Sequence, residues 1–194
     1  MSTTLGLRER KKLASMRRIQ EVALDLFDER GFDDVTIEQI AEVAEVSPSS
    51  VYRYFGTKEQ VVLWDEVDRR LFDAIEIELA SHPPIDAMRR AISGVMTQFF
   101  DAEDDLAKRK TRYALEEPAL RAALLELSDE FTQRVAEAVA RASGQTPDEL
   151  EPQVVAATLI AAMMTAARHW NAHGYRTSIA EEFERALAIV ERGL

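Results

Sequence analysis

Residues 47–58 (SPSSVYRYFGTK) concentrate side chains that can donate hydrogen bonds to a phosphate or to the edge of a base. Val51 and Phe55 are the two residues of this segment best suited to a protein core. On a helical wheel of about 100° per residue these two lie on one side, and Ser49 and Arg53 lie opposite. The spacing predicts a short helix whose outward face, small in the middle with one long cation, is shaped to enter the major groove of DNA.

The other polar groups of this segment suit the phosphates that border a groove. Tyr52 and Tyr54 flank the outward face, and Ser47 stands at the N-terminus of the predicted helix, where backbone N–H groups favour an anion. Lys58 adds a cation just beyond the helix. A plainer interpretation is that Ser47 only caps the helix and the tyrosines are half-buried. The exposed-face pattern alone leaves DNA recognition and a structural helical hairpin equally open.

Neighbouring helices must position this segment. The apolar stripe from Ile19 to Phe27 has the spacing of a helix that faces a core. Predicted helices 37–44 and 48–55 are each about two turns long and are joined by Glu45 and Val46. This arrangement predicts a helix-turn-helix if the second helix is free to enter a groove.

Nearly the whole chain is predicted to be helical, because its seven glycines and six prolines cluster where helices should end. The predicted helices cover residues 8–30, 37–44, 48–55, 58–81, 85–101, 103–116, 118–142, 147–173 and 179–192. Four of their starts carry the capping-box pattern, in which Ser or Thr is followed three residues later by Gln or Glu, namely Thr36, Thr57, Thr146 and Ser178. The 58–81 helix would be about 36 Å long, enough to leave one domain and run through another.

The charge of the chain is divided unevenly. The formal net charge is −11, but residues 1–58 are nearly neutral at −1, so residues 59–194 carry −10. Residues 1–18 hold six basic groups against one acid. An acidic bulk would keep most of the surface away from DNA. We therefore expect the basic residues of the N-terminal arm to add phosphate or minor-groove contacts, namely Lys11, Lys12, Arg17 and Arg18.

Several classes of site and protein are disfavoured. The chain has no cysteine, which excludes disulfides, thiolate metal sites and cysteine nucleophiles. The apolar run 154–167 is too short for a membrane span, and the N-terminus does not resemble a secretory signal, so we expect a cytoplasmic protein. His169 and His173 are a possible metal pair without a third ligand, and we predict no metal site. No glycine-flanked serine, P-loop or dinucleotide fingerprint is present, so no catalytic residues are predicted.

Three segments carry a family resemblance: the stripe Ile19 to Phe27, GFDDVTIEQIAEVAEVS at 31–47, and SVYRYFGTKE at 50–59. They resemble the TetR family of transcriptional regulators over about the first third of the chain. The resemblance implies an all-α fold in two parts. A three-helix DNA-binding domain would occupy residues 1–57, and a larger helical ligand-binding and dimerisation domain would occupy residues 58–194.

The resemblance also implies roles for individual positions. Family phosphate contacts fall on Thr36, Ser47, Tyr52, Tyr54 and Lys58, and the recognition helix carries Pro48, Ser49, Ser50 and Arg53. One departure is Glu45, where family members often have glycine. A non-glycine residue with a positive φ costs about 1 kcal/mol, so we expect a slightly strained or altered turn.

The acidic two-thirds of the chain contains candidate ligand contacts. Its aromatic and methionine side chains are each more often ordinary core, but as a set they favour an apolar ligand, namely Met96, Phe99, Phe100, Tyr113, Phe131, Met163, Met164 and Trp170. The segment KRKTRY at 108–113 includes Arg109 and Arg112. Its basic residues suit either a solvated face paired with Asp104, Asp105 and Glu116, or a mouth for an anionic headgroup. The second alternative suggests an acyl-CoA or a fatty acid.

Together these observations predict a ligand-responsive transcriptional repressor. A homodimer formed by the last two helices of each chain would bind a palindromic operator in double-stranded DNA. A small apolar or amphipathic effector would release it, with coupling carried mainly by the long helix that starts at Thr57. The alternatives are a helical protein-interaction adaptor without an effector and a small all-helical enzyme.

Overall fold

A computed structural model of the chain describes residues 6–99 and 105–193, with the backbone alone for residues 96–99. This part of the chain is all-helical, as predicted. Its helices in order are α1 (Leu7–Arg30), α2 (Ile37–Val43), α3 (Pro48–Phe55), α4 (Lys58–Leu63), α5 (Glu66–Leu79), α6 (Pro84–Phe99), α7 (Asp105–Glu116), α8 (Pro118–Ser143), α9 (Leu150–Ala172) and α10 (Ile179–Arg192).

Helices α1 to α4 share one hydrophobic core. The predicted stripe of α1 is buried from Ile19 to Phe27, and the Phe27 ring lies 5.0 Å from the ring of Phe32. Helix α4 buries Val61 and Val62 in the same core. The domain boundary predicted after residue 57 lies just before α4, although α4 packs in the same core as α1 to α3. The boundary stays a prediction.

Local capping starts several helices at the expected residues. Thr36 Oγ1 accepts from the backbone N–H of Gln39, whose side-chain oxygen accepts from the backbone N–H of Thr36. Ser178 makes the same reciprocal pair at the start of α10. Thr146 differs: its backbone N–H donates to Glu149 Oε1 at 2.8 Å, but α9 begins only at Leu150. The prediction of a helix from residue 147 was wrong, because the backbone N–H of Glu149 donates to the Thr146 carbonyl at 3.1 Å and closes a turn, after which Glu149 has extended backbone angles.

The predicted helix over residues 58–81 was also wrong, since it is broken between α4 and α5. Trp64 and Asp65 have extended backbone angles, and Asp65 Oδ1 accepts from the backbone N–H of Val67 to start α5. The break leaves the carbonyl of Trp64 without a helical hydrogen-bond donor, and distant residues supply donors instead. Gln20 Nε2 donates to it at 2.8 Å and Lys110 Nζ at 2.7 Å. The break is therefore stabilised by tertiary contacts, and no single long helix joins the two parts.

Helices α5, α6, α8, α9 and α10 build a second core, to which Phe72, Val139 and Leu159 belong. Helix α7 contributes Ala114 to the first core and contacts α1, α4, α8 and α9. Within the described residues, α9 alone has the length and apolar composition that could cross a membrane. In the fold it packs against α8 and α10. Burial within protein accounts for its apolar residues on those sides.

The turn between α2 and α3 contains a strained residue. Glu45 has a φ of 59°, the left-handed region in which a side chain is disfavoured. Glu45→Gly should therefore raise the free energy of unfolding by about 0.5–1 kcal/mol in urea denaturation, net of the greater freedom of glycine in the unfolded chain.

The matched control is Glu42→Gly in α2, where the backbone is helical and glycine should cost about 1 kcal/mol. Equal destabilisation by both substitutions would contradict the strain at Glu45.

Candidate nucleic-acid interface and ligand cavity

Helix α3 presents two different faces. Val51 and Phe55 are buried, with exposed fractions of 0% and 7%, while Ser49 and Arg53 are exposed. Ser47 Oγ accepts from the backbone N–H of Ser50 at 3.3 Å, with Pro48 as the first helical residue. The facing predicted from the helical wheel is confirmed. Contact with DNA stays a prediction.

Within the described part of the chain, the exposed cation of α3 makes its hydrogen bond and its ring contact with side chains of its own helix. Arg53 Nη2 donates to Ser50 Oγ at 3.2 Å, and its guanidinium lies 5.0 Å from the centre of the Tyr54 ring. Because the Arg53 side chain is exposed, it can reach a base edge without disturbing the fold. This arrangement meets the steric requirement for base recognition by an arginine.

The two tyrosines that flank the outward face differ. The Tyr52 side chain is 48% exposed, and its hydroxyl donates to Glu38 Oε1 at 3.1 Å. This hydrogen bond raises the pKa of Tyr52 above its usual value. Tyr54 is half-buried and packs against the N-terminal core. A phosphate would therefore compete with Glu38 for the Tyr52 hydroxyl.

Lys58 has a structural role in addition to the predicted phosphate contact. Its Nζ donates to the backbone carbonyls of Phe32 at 2.6 Å and Val35 at 2.9 Å, and lies 4.1 Å from the centre of the Phe32 ring. Lys58 thus fastens α4 to the turn between α1 and α2. Its contact with a phosphate remains a prediction.

The other predicted DNA contacts lie on exposed positions. Thr36 is exposed and caps α2. The predicted basic residues of the arm are all exposed along the first half of α1, namely Lys11, Lys12, Arg17 and Arg18. Arg17 Nε donates to Glu21 at 3.3 Å, a surface pair worth little to stability. These cations remain available to a polyanion.

A cavity of about 260 Å³ lies among α4 to α10. Four of the predicted ligand contacts line it: Phe131, Met163, Met164 and Trp170. Tyr113, Arg109 and Arg112 are not among its lining residues. Of the remaining predicted contacts, Phe100 and the side chains of Met96 and Phe99 lie outside the described residues.

Arg109 and Arg112 of the basic segment face α1 and not the cavity. Arg109 lies 2.9 Å from Asp25 and 2.6 Å from Asp28, and Arg112 lies 2.5 Å from Asp28. Tyr113 donates its hydroxyl to the same carboxylate at 2.8 Å. The ion-pair partners expected from the sequence, Asp104, Asp105 and Glu116, therefore give way to α1 carboxylates, and Asp104 lies outside the described residues. Arg109 and Arg112 do not form a mouth for an anion.

We call the contact between α1 and α7 the α1–α7 clamp; it is formed by Asp25, Asp28, Arg109, Arg112 and Tyr113. Within the clamp, the pKa values of Asp28 and Tyr113 are shifted. Burial alone would raise the pKa of Asp28, but hydrogen bonds from Tyr113 and Arg109 outweigh it and hold the pKa below its usual value. Burial and the bond to Asp28 raise the pKa of Tyr113 to about 12. No local spacing could have revealed the clamp, since Asp28 and Arg109 are 81 residues apart.

The polar part of the cavity wall was not predicted from the sequence. Asp65, Asp68, Lys110 and Thr111 line it among apolar neighbours. Burial is the main cause that raises the pKa of Asp68 to about 7, followed by the charge of Asp65. A signal did exist, because residues 68, 71, 72 and 75 share the apolar stripe of α5, where a carboxylate is out of place.

The histidine pair makes contacts within the protein. The rings of His169 and His173 stack with centroids 3.8 Å apart, and His169 Nδ1 lies 2.9 Å from the buried carboxylate of Glu182. Thr177 Oγ1 also donates to Glu182. Among the described residues, no group of three or more His, Asp or Glu side chains could hold a metal ion.

The fold and the exposed face of α3 define a helix-turn-helix DNA-binding regulator. Two family models match the chain: "Bacterial regulatory proteins, tetR family" over residues 19–63 and "MftR C-terminal domain" over residues 82–194. The transcriptional regulator TcmR of Streptomyces glaucescens is 31% identical over 85% of this chain and 76% of its own length. MftR of Mycobacterium tuberculosis is 28% identical over 95% and 93%. The chain belongs to the TetR family of transcriptional regulators, which are not enzymes.

Solved structures show the same architecture. Thermus thermophilus FadR, a TetR-family repressor in complex with lauroyl-CoA, is 25% identical with a TM-score of 0.57, covering 92% of this chain and 94% of FadR. FadR from Bacillus halodurans, a fatty acid degradation regulator, is 18% identical with a TM-score of 0.61 over 99% and 98%. These similarities support a helix-turn-helix domain followed by a larger helical domain.

Proposed function

We propose that the chain is a homodimeric repressor that binds a palindromic operator and is released by a small apolar or amphipathic effector. The exposed face of α3 carries this proposal, because Ser49 and Arg53 project from a helix that Val51 and Phe55 anchor. The acidic remainder of the chain restricts DNA contact to α3 and the basic part of α1.

Dimerisation is supported by an uncovered stripe on the last two helices. Val154 is 52% exposed, and Ala157, Ala161 and Thr165 follow it at helical spacing on the open side of α9. Ile189 on α10 is 48% exposed. A second copy that covers this stripe would form a four-helix bundle and would place two α3 helices about 34 Å or more apart, in successive major grooves.

The effector part of the proposal is supported by the cavity. Its wall is mostly apolar, and Met163 and Met164 can adapt to ligands of different shape. This lining would accept an alkyl or acyl chain, and Thermus FadR is in complex with lauroyl-CoA. The clamp, however, already pairs Arg109 and Arg112. Because these arginines are not available to an anionic headgroup, the proposed effector is defined by the apolar chain that fits the cavity.

Helix α7 offers a route from the cavity to the DNA-binding helices. Lys110 and Thr111 line the cavity, while Arg109 and Arg112 bind α1 carboxylates. A ligand that shifts α7 would shift α1 with it, and a coupling of about 1–3 kcal/mol would suffice. This route replaces the single long helix expected from the sequence.

Operator binding by the dimer can be tested with fluorescence anisotropy on a labelled duplex from the DNA upstream of the protein's own gene. We expect the logarithm of the association constant to fall linearly with the logarithm of salt concentration. Ala161→Glu should abolish both dimer and operator binding, because it places a carboxylate in the interface of each copy.

The matched control is Ala122→Glu on the exposed side of α8, which should change neither the mass in sedimentation nor the affinity. A dimer that persists in Ala161→Glu would refute the interface. Equal affinity for a scrambled duplex would refute operator recognition.

A further inference from the structure

Asp68 interrupts the apolar wall of the cavity. It lies one turn before Phe72 on α5, and both line the cavity with Phe131 and Met163. A carboxylate among such neighbours loses water without gaining an equivalent partner. Packing alone therefore does not explain a carboxylate at position 68.

The other charged lining residues already neutralise each other. Lys110 Nζ lies 2.8 Å from Asp65 Oδ2 and also donates to the carbonyl of Trp64 at 2.7 Å. Asp65 Oδ1 accepts from the backbone N–H of Val67. The ammonium of Lys110 is therefore committed to the break between α4 and α5.

The pKa of Asp68 is shifted by burial and by nearby charges, and not by a hydrogen bond of the described residues. Within the described part of the chain, burial and the negative charge of Asp65 raise its pKa, whereas Lys110 and Arg134 lower it through charge alone. Arg134 is exposed and lies over the Phe72 ring, 3.8 Å from its centre. The net result is a pKa of about 7, typical of a carboxyl that lacks a close cation.

We propose that the cavity selects an elongated apolar molecule that ends in a protonated amine, with the ammonium bound by Asp68 and the chain lying against Phe131 and Met163. The inference rests on the proposed ligand function of this cavity. An ammonium would supply the cation that Asp68 lacks and would form a charge-assisted hydrogen bond. A fatty acid carboxylate would instead bring a third negative group beside Asp65 and Asp68.

Three ligands of equal chain length test the proposal: octylamine, octan-1-ol and octanoate, each titrated calorimetrically into the full chain at pH 8. Octylamine should bind the wild-type protein at least about tenfold more tightly than the other two, because a hydrogen bond to a charged group is worth that much or more. Asp68→Asn should remove this preference while retaining an apolar wall of the same shape.

Thr111→Val is the matched control, since it removes a polar group from the same cavity without changing its charge. It should keep the preference for octylamine. Circular dichroism and sedimentation are used to check that each variant is folded and has the wild-type mass. Equal or tighter binding of octanol or octanoate by the wild type would overturn the proposal, and so would binding of none of the three or an unchanged preference in Asp68→Asn.

A pH series adds an independent readout. The affinity for octylamine should fall between pH 8 and pH 6 as Asp68 takes up a proton, and Asp68→Asn should show no such fall. The charged groups that shift the pKa of Asp68 are Asp65, Lys110 and Arg134. A pH response that survives in Asp68→Asn would assign it to one of those groups and contradict the proposal.

Operator release is measured separately, by adding octylamine to the labelled duplex complex. Tight, Asp68-dependent binding without release would retain the amine site and reject the effector role. Absence of operator binding would reject the regulator function and leave the calorimetric result standing.

Discussion

Phe27→Ala is expected to lower the free energy of unfolding by about 3–5 kcal/mol, the usual cost of truncating a buried phenylalanine. The side chain is 2% exposed. Its ring lies 5.0 Å from Phe32 and 5.7 Å from Tyr113. It therefore packs at once within the DNA-binding core and against α7. Because whole domains are stable by only about 5–15 kcal/mol, this loss should remove a large part of the stability.

Urea denaturation monitored by circular dichroism measures this effect. Leu125→Ala on α8 is the control, since Leu125 is 69% exposed and its truncation should change stability by less than about 0.5 kcal/mol. A loss below about 1 kcal/mol in Phe27→Ala would show that the α1–α7 contact is not part of the stable core. Tyr113→Phe, which keeps the ring but removes the hydroxyl bound to Asp28, separates packing from the hydrogen bond.

Arg53→Ala is expected to weaken operator binding by about tenfold to 100-fold and to relax sequence preference at the base it contacts, the cost of losing a paired arginine–guanine contact of about 1–3 kcal/mol. Stability should be almost unchanged, because Arg53 is exposed and its hydrogen bond to Ser50 lies on the surface of its own helix. The affected step is thus recognition and not folding.

Anisotropy with the operator and with a set of single-base variants measures both parts of this expectation. Arg121→Ala on the exposed face of α8 is the control for loss of one positive charge. It should leave the affinity within about twofold, because α8 lies outside the proposed DNA contacts. A uniform loss across all sequences would mean that Arg53 contacts phosphate and not a base, and no loss would remove α3 as the reading element.

Features that depend on close neighbours in the chain were predictable. The capping pairs of Thr36 and Ser178 connect residues three apart, so their hydrogen bonds form wherever a helix begins. The burial of Val51 and Phe55 follows from helical periodicity. The positive φ of Glu45 followed from the family resemblance and not from spacing.

Features that depend on distant partners were not predictable. Gln20 and Lys110 donate to the carbonyl of Trp64 from 44 and 46 residues away, and they stabilise the break that local periodicity concealed. Arg109 and Arg112 have the acidic residues Asp105 and Glu116 on their own helix, yet they pair with α1. Each of these side chains could reach several partners, and the packing of the helices decides which partner it binds.

Side-chain type and short-range spacing account for the amphipathic α3, its caps and the uneven distribution of charge, so these features were predictable from the chain. Packing placed Arg109 and Arg112 against α1 and Asp68 at an apolar cavity. A charged side chain acquires its role from its solvent exposure and its partners, and both are properties of the packed chain.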